Sequence, residues 1–519
     1  MENFLLRFGS IVLGVLHGFD RLRFRGCKRQ LCHVAGAMSW LWQTRIPLKE
    51  YREFARDTTL SLCRTIEGPA ESAGIYRFLN NGHASKEEEA LRLAAEHKRT
   101  TGLIAVLGCV EPCQIMQVRG NKETKKLELR VESGKCKHYY HYYLDPDYGL
   151  RYTRLQTWFP YTMHIGLNGR DWLAQQLTKA GIAYRKQDNC FPWVEDFAAA
   201  QKLADQQRVT NWPRVLDGWV HESHRLAESF LPSAVPYNWT LEAGEYATDF
   251  AFRSADDLAR IYPLLVEHAR TILQSTDLLR FLGYRVRNDG KPWGNMVGEV
   301  TTRIKELVEG ICVKHQVLNN DLKMYDKFNV VVRLEALLRN LHHFKVYRAS
   351  ENDPEGPKDH LRMRQGVADL SARAEASQEI NSRYAASLAT VVDKTPLGEL
   401  TKDLGKRTFW KGRTVRALNP LAIEDVRLLQ AVSRGEFLIS GFRNRDIRAI
   451  LFSELPATAA KAKAQAANVT RLLRLLRAHG LIDKIAKSHR YQVTEKGAAT
   501  LSALLAARKA DTKQLLQAA

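Results

Sequence analysis

The chain has 519 residues, of which 45% are hydrophobic and 26% are charged, a balance that is typical of folded domains and excludes wholesale disorder. Its 78 Lys and Arg residues outnumber its 57 Asp and Glu residues, which gives a formal net charge of +21. This excess predicts a polyanionic partner, with nucleic acid favoured over an anionic membrane surface. A basic but otherwise ordinary enzyme is the alternative.

The first predicted element lies in residues 1–26, where a short apolar run contains Arg7 and His17. The run is shorter than the roughly 20 residues that a membrane-spanning helix needs, and no convincing signal-peptide cleavage site follows it. We therefore expect a buried or amphipathic helix here. No other segment has the length and apolar character of a span, so the sequence predicts a cytoplasmic protein without a membrane partner.

Residues 1–100 are predicted to form a helical N-terminal region. Segment 51–66 carries Phe54, Leu60 and Cys63 at roughly helical spacing. Segment 85–100 opens with Ser85, and Glu88 follows three residues later. This spacing is typical of a capping box at the start of a helix.

From residue 101 the hydrophobic pattern changes, and residues 101–348 are predicted to form a mixed α/β core. Continuous or alternating apolar and β-branched residues predict strands at 102–110, 126–133, 138–167 and 310–348. Helical patterns separate them at 171–184, 195–230 and 254–283. Residues 349–422 follow as a connector made of a hydrophilic loop, a long helix over 366–392 and a basic stretch at 406–420. The predicted fold class is α+β.

The eight cysteines are scattered along the chain, and the only close groups are Cys109 with Cys113 and Cys27 with Cys32 and His33. A structural zinc site usually contains two compact pairs of ligands, and these spacings are irregular. A disulfide framework is also unexpected in a long chain of this kind. We therefore expect reduced, mostly buried thiols, with a zinc site as the minor alternative.

The last predicted domain covers residues 423–519. A short helix at 441–454 precedes a second helix at 466–482, whose buried face is predicted from the spacing of Val469, Leu472, Leu473 and Leu476. Gly480 is placed to end that helix. Two short strands around a basic turn and a helix from Thr494 complete the order.

This order resembles the winged helix-turn-helix of MarR-like DNA-binding proteins, most clearly in RLLRAHGLI (474–482) and TEKG (494–497). The resemblance implies a recognition helix in the major groove and a wing against phosphates or the minor groove. The residues predicted to lie near the bases are Asn468, Thr470, Arg471 and Arg474. The predicted wing residues are Lys487, His489 and Arg490. The residues predicted to contact the DNA backbone are Arg443, Arg445 and Arg448. Residues 436–519 contain 15 Lys and Arg but 6 Asp and Glu, which suits phosphate contact. A winged helix that contacts protein is the alternative.

A candidate for chemistry lies at residues 313–340. Lys323, Asp326 and Lys327 end one predicted strand, and Glu335 lies on the next. Two carboxylates with flanking lysines could hold Mg²⁺ or Mn²⁺ against a phosphate. We predict Asp326 and Glu335 as catalytic metal ligands, Lys323 and Lys327 as phosphate ligands, and Asp249 as a further metal ligand. Salt bridges between strands on a solvated face of the sheet are the alternative.

The pattern K-x-Y-D-K…R-x-E in this region resembles a segment of phage and plasmid replication initiators, although their His-hydrophobic-His metal motif is missing. The stretch 68–88, with Tyr76-Arg77-Phe78, resembles the DNA-binding region of IS4-type transposases. Their catalytic Asp-Thr-Thr is replaced here by Glu111-Pro112-Cys113. Glu111 and Asp188 are further carboxylates that could bind a metal, with a structural role as the alternative for each. The aromatic stretch 139–161 could stack bases or form a sheet core.

The whole chain resembles an uncharacterised group of bacterial proteins associated with mobile elements. This resemblance, with the basic charge and the C-terminal pattern, predicts a DNA-binding protein of mobile-element type that processes DNA strands with a divalent metal. The alternative is a non-enzymatic regulator or structural DNA-binding protein, and a homo-oligomer is left open. No P-loop, G-x-G-x-x-G or G-x-S-x-G pattern occurs in the sequence, which argues against nucleotide hydrolysis and serine-hydrolase chemistry.

Overall fold

A computed structural model of the chain describes residues 1–80, 85–223, 236–284, 286, 300–390, 397–434, 437, 441–452, 456–485 and 488–509. Both helices and strands are abundant, so the predicted α+β class is confirmed. Within the described residues, every helix falls short of the length or apolar character that crossing a bilayer demands.

The helices follow the sequence patterns closely in most of the chain. They are α1 (Glu2–Phe8), α2 (Val34–Gln43), α3 (Tyr51–Ser72), α4 (Lys86–Glu96), α5 (Gly169–Lys179), α6 (Phe197–Val209), α7 (Trp212–Ser223), α8 (Ala255–Thr271), α9 (Ser275–Phe281), α10 (Leu370–Leu388), α11 (Leu397–Thr401), α12 (Ile423–Val432), α13 (Asn444–Leu451), α14 (Ala459–Ala478) and α15 (Glu495–Lys509). The predicted cap is present at α4, where the side chain of Ser85 accepts a hydrogen bond from the backbone N–H of Glu88 at 3.3 Å.

The strands include several that are much longer than the sequence pattern suggested. They are β1 (Val12–Lys28), β2 (Tyr76–Phe78), β3 (Gly102–Gly120), β4 (Leu127–Asp145), β5 (Gly149–Gln156), β6 (Met163–Asn168), β7 (Tyr184–Gln187), β8 (Cys190–Val194), β9 (Tyr237–Phe252), β10 (Val300–Leu307), β11 (Gly310–Val317), β12 (Asn320–Lys327), β13 (Val331–Leu337), β14 (Lys345–Arg348), β15 (Asp359–Arg362), β16 (Thr408–Trp410), β17 (Arg413–Val415), β18 (Phe442–Arg443), β19 (Ile482–Lys484) and β20 (Arg490–Val493).

The chain divides into two compact units that differ from the four predicted segments. The first unit contains Met1–Val15, Asp249–Ala336 and Gln378–Ala519, and the second contains Leu16–Thr248 and Leu337–Ser377. Each unit is therefore assembled from separated parts of the sequence. Contacts of this kind cannot be inferred from local periodicity, because they join residues that are far apart along the chain.

In the second unit, six strands of one sheet lie in the order β1-β6-β5-β4-β3-β2. All neighbours are antiparallel except β2 and β3, which are parallel. Side chains from α2, α3 and α7 bury one face of this sheet, and they include Trp40, Tyr51 and Trp212. Burying aromatic rings of this size supplies much of the hydrophobic stabilisation of such a core.

The expected N-terminal helix is wrong beyond residue 8, because residues 12–28 form strand β1. The C-terminal half of this strand has a clear period of two. Leu22 and Phe24 are buried in the core, whereas Arg21, Arg23 and Arg25 are exposed. Alternation of this kind is the signature of a strand with one buried face, and the apolar residues before Asp20 hid it.

In the first unit, strands β10 to β13 follow one another in a sheet, and the last residues of β9, from Asp249 to Phe252, belong to the same unit. The C-terminal part of this unit has a separate core that runs from Leu404 and Leu418 through α12, α13 and α14 to Leu501. We call residues 404–509 the C-terminal module. The basic stretch that the sequence placed in a connector therefore packs with this module.

Candidate nucleic-acid interface

The C-terminal module contains a three-stranded antiparallel sheet in the order β18-β20-β19 beside helices α12 to α15. Strand β18 leads directly into α13, where the backbone N–H of Arg443 donates to the Asp446 carboxylate at 2.7 Å. Arg443 and Arg445 are exposed, and Arg448 is half-buried. All three predicted backbone-contact residues therefore lie at or near the module surface.

Helix α14 follows and carries several basic residues. Thr458 caps its N-terminus by accepting a hydrogen bond from the N–H of Lys461 at 3.2 Å. Val469, Leu473 and Leu476 are buried as predicted, and Leu472 packs against the same core. The helix contains five basic residues and no acidic one.

The outward face of α14 carries the predicted DNA-contacting residues. Asn468, Thr470, Arg471 and Arg474 are all exposed, together with Lys461 and Lys463. Exposed alanines separate these side chains, among them Ala464 and Ala467. This face of α14 therefore combines exposed cations with small side chains.

Thr470 has a structural role that the sequence did not indicate. Its hydroxyl donates to the carbonyl oxygen of Ala466 at 2.9 Å, and it accepts a hydrogen bond from the side-chain amide of Asn444 at 3.0 Å. The same amide donates to the Ala466 carbonyl oxygen at 3.0 Å. Asn444 therefore fixes the start of α13 against the exposed face of α14.

The predicted wing lies between β19 and β20, which pair from Ile482 opposite Val493 to Lys484 opposite Tyr491. His489 is exposed, as a phosphate-contacting residue would need to be. Arg490 is half-buried, and its guanidinium donates to the carbonyl oxygen of Gly441 at 3.3 Å. The prediction for Lys487 falls outside the described residues.

The TEKG stretch after the wing has a clear structural explanation. Thr494 donates from its hydroxyl to the carbonyl oxygen of Gly480 at 2.6 Å and accepts from the N–H of Gly497 at 2.9 Å. A Cβ atom at Gly497 would lie 2.0 Å from the carbonyl oxygen of Leu481. The threonine therefore caps α15, and the glycine permits its close approach to the sheet.

A basic hairpin formed by β16 and β17 was missed by the sequence analysis. Residues 406–416, KRTFWKGRTVR, contain five basic residues and no acidic one. Lys411 and Gly412 form its two-residue turn, and both have positive φ values, of 48° and 76°, as tight hairpin turns require. The sequence feature that indicates this hairpin is the dipeptide Lys-Gly between two short β-prone runs.

The hairpin is anchored to the rest of the module by two sets of contacts. The guanidinium of Arg477, at the end of α14, lies 5.0 Å from the centre of the Trp410 ring, within the range of a cation–π interaction. Arg416 forms a bidentate ion pair with Asp425 at 2.5 and 2.8 Å, and its carbonyl oxygen lies 3.0 Å from Nε2 of His479. Phe409 remains 73% exposed, so the hairpin offers an aromatic ring among cations.

The predicted catalytic carboxylates lie on β12, β13 and β9 within the first unit. Lys323 contacts Glu335 at 2.6 Å, so these two side chains share one face of the sheet. Asp326 lies three residues from Lys323 on the same strand, and alternation directs it to the opposite face. Asp326 and Glu335 are therefore not brought together.

Each of these groups has partners within the fold. Arg333 holds Asp249 in a buried bidentate ion pair at 2.6 and 2.9 Å, Lys327 contacts Glu309, and the Asp326 carboxylate accepts from the N–H of Asn329 at 3.0 Å. Burial raises the pKa of Asp326 above its ordinary value. Among the described residues, neither Asp326 nor Asp249 belongs to a group of three side chains with ligand atoms within 4.8 Å of one another. Asp249 and Glu335 thus form salt bridges between strands, as in the alternative, but these lie on a buried face of the sheet and not on a solvated one.

The other carboxylates and the aromatic stretch also have structural partners. Glu111 lies 2.9 Å from Lys86 and 2.8 Å from Arg154, and Asp188 lies in the tight turn between β7 and β8 with a φ of 50°. Tyr139 and Tyr143 are buried, with hydroxyl groups that donate to Glu67 and Ser223. The aromatic stretch is thus largely a sheet core, in which the hydroxyls of Tyr139 and Tyr143 are hydrogen-bonded.

Comparison of the chain with known protein families, with curated proteins and with solved structures finds no match.

Proposed function

We propose that the protein binds DNA through the C-terminal module, which we assign as a winged helix. The observation that carries this proposal is the acid-free outward face of α14, with Arg471 and Arg474 exposed beside Asn468. An exposed cationic helix that follows a second helix is the arrangement that enters the major groove in winged helix-turn-helix proteins. The basic hairpin at 406–416 adds a second cationic element to the same module.

The same geometry suggests different roles for the residues of the interface. Asn468, Arg471 and Arg474 project from α14 and suit contacts with base edges or nearby phosphates. Arg443, Arg445, His489 and the hairpin lie on other elements of the module and suit contacts with the phosphate backbone. Thr470 and Arg490 instead support the interface, because their polar groups bond to the backbone of Ala466 and Gly441.

The proposal covers binding and site selection, which suit a regulator as well as a mobile-element protein of the kind that the chain resembles. Metal-dependent strand processing by Asp326, Glu335, Lys323 and Lys327 stays a separate prediction. The ion pairs of Glu335 and Asp249 with basic side chains do not favour it, because a carboxylate already neutralised by a cation is a weaker ligand for Mg²⁺.

The test is a titration of the full chain with a labelled DNA duplex, followed by fluorescence anisotropy at several salt concentrations. We expect log affinity to fall linearly with log salt, with a slope of about 0.9 for each phosphate contact. The double variant Arg471→Glu/Arg474→Glu should weaken binding by at least about tenfold and lower the slope.

The matched control is Arg52→Glu/Lys202→Glu, which makes the same change in net charge at two exposed positions of α3 and α6 in the second unit. This control should bind DNA nearly as the unaltered chain does. Equal weakening in both double variants would indicate a net-charge effect alone. Unchanged affinity in the α14 variant would overturn the proposal and favour a protein-contacting module.

A further inference from the structure

Two cysteines and a histidine meet in the second unit, at a place that the sequence spacing concealed. Cys113 lies on β3, and Cys136 and His138 lie two residues apart on β4. In the antiparallel register, Glu111 pairs with Cys136 and Cys109 pairs with His138, so Cys113, Cys136 and His138 share one face of the sheet. Their ligand atoms all lie within 4.8 Å of one another.

The distances suit a common ion. The two sulfur atoms are 3.4 Å apart, and Sγ of Cys136 is 3.9 Å from Nε2 of His138. A tetrahedral zinc ion with Zn–S bonds of about 2.3 Å and a Zn–N bond of about 2.0 Å separates its ligand atoms by about 3.5 to 3.8 Å. Small side-chain movements would therefore complete the geometry.

The orientation of His138 is the second observation. Its Nδ1 atom lies 3.1 Å from the carbonyl oxygen of Cys136. Because a carbonyl oxygen only accepts, Nδ1 must carry the proton, and in the neutral ring the lone pair is then on Nε2, which faces the sulfur of Cys136. A histidine held through one nitrogen by a backbone carbonyl, with the other nitrogen directed at the site, is the usual arrangement of a metal ligand.

We propose that Cys113, Cys136 and His138 bind a thiolate-preferring divalent cation of the zinc class. Binding would release one proton from each thiol, and the two thiolates would neutralise the charge of the ion. His138 is fully buried, whereas Cys113 is partly exposed. The side of the cluster at Cys113 is therefore open to a solvent molecule as a fourth ligand.

The position of this site in the sheet gives it a structural role. Strand β5 pairs with β4 only from His138 to Asp145, so beyond His138 the strands β3 and β4 continue as a two-stranded ribbon. Two-stranded ribbons need packing against other elements to be stable, and here Met116 and Leu129 supply part of it by joining the hydrophobic core of the second unit. An ion bound by both strands at this point would hold the base of the ribbon.

The test is a titration of the reduced full chain with Co²⁺, followed by optical absorption, with bound Zn²⁺ measured by mass spectrometry after competition. We expect one equivalent of Co²⁺ for each chain and the near-ultraviolet band of a thiolate-to-cobalt transition. Cys113→Ser should weaken that band and the affinity, and Cys136→Ser and His138→Gln should do the same. The control Cys32→Ser removes an exposed cysteine outside the cluster and should bind Co²⁺ as the unaltered chain does.

Two outcomes would overturn the proposal. One is the lack of a thiolate-to-cobalt band in the reduced unaltered chain, which needs no variant to fold. The other is a denatured thiol count of six instead of the eight cysteines of the sequence in protein purified without reductant, with no metal bound, and with peptide mapping that places the disulfide at Cys113 and Cys136 and not at the neighbouring pair Cys27 and Cys32. Neither readout depends on DNA, so failure here leaves the proposed DNA binding untouched.

Discussion

The outward face of α14 and the strand pair β12–β13 are both rich in charged residues, but they use charge in opposite ways. On α14, Arg471 and Arg474 are exposed on a helix with no acidic residue. On β13, Arg333 is fully buried and bonded to Asp249 through two hydrogen bonds. Cations held against carboxylates stabilise the fold, whereas exposed cations on an acid-free surface are available to a partner. Burial and pairing therefore separate the two roles, and sequence charge alone does not.

Among the substitutions that test this comparison, the largest change in stability is expected at the buried ion pair of Arg333 and Asp249. Arg333→Leu leaves the Asp249 carboxylate without its bidentate partner, and breaking a buried pair in this way costs about 3 to 5 kcal/mol. Arg474→Leu removes the same type of side chain from the exposed face and should change stability by about 0.5 kcal/mol or less. Urea unfolding of the unaltered chain and of the two variants measures both changes in the free energy of unfolding. Similar midpoints would show that the Arg333–Asp249 pair does not stabilise the fold as described.

An intermediate effect is expected at Glu111, which is half-buried between cations. Burial raises the pKa of Glu111, but the Lys86 ammonium, the Arg154 guanidinium and the Tyr140 hydroxyl lower it more, from 4.5 to about 2. Because the folded pKa is depressed, the stabilisation is present above the unfolded value and is lost as the pH falls from about 4.5 to about 2.

The measurement is the thermal midpoint of the unaltered chain and of Glu111→Gln between pH 7 and pH 3. The variant should be less stable at pH 7, and the difference between the two proteins should shrink as the pH falls. A difference that stays constant with pH would show that the carboxylate charge does not stabilise the second unit.

A smaller effect on stability than at Arg333 or Glu111 is expected at Asn444, which joins α13 to the exposed face of α14. Asn444→Ala removes two hydrogen bonds and should cost about 1 kcal/mol, with a several-fold loss of DNA affinity because α14 is less well positioned. The control is Asn419→Ala, since Asn419 is exposed on the same module and caps only a local turn. Equal DNA affinity for the two variants would contradict a positioning role for Asn444.

Local patterns in the sequence predicted much of the C-terminal module. The buried face of α14, the helix end near Gly480 and the helix that begins after Thr494 depend on spacings within a few residues, and the structure has all three. The winged-helix assignment and its DNA contacts stay predictions. The hairpin at 406–416 was not predicted because each of its strands has only three residues, which is too few to show a hydrophobic alternation.

Features that join distant residues could not be predicted in the same way. Cys113 and Cys136 meet because β3 and β4 are nineteen-residue strands in a fixed register, and their separation along the chain is unlike that of a compact zinc motif. Asp326 and Glu335 matched the composition of a metal site, but strand alternation directs them to opposite faces. In both cases the deciding quantity was the register of strands.

The anchoring of the basic hairpin has a further consequence for the strength of any contact with DNA. Trp410 forms a cation–π contact with Arg477, and Arg416 forms an ion pair with Asp425. The hairpin and α14 are therefore parts of one packed body. Once one of them touches a duplex, the other meets the same duplex at a high effective concentration instead of by a second independent collision. The affinity of the module for DNA would then exceed the affinity of either contact alone. Removing the Trp410 ring would lower that affinity, although every cation of the module would remain.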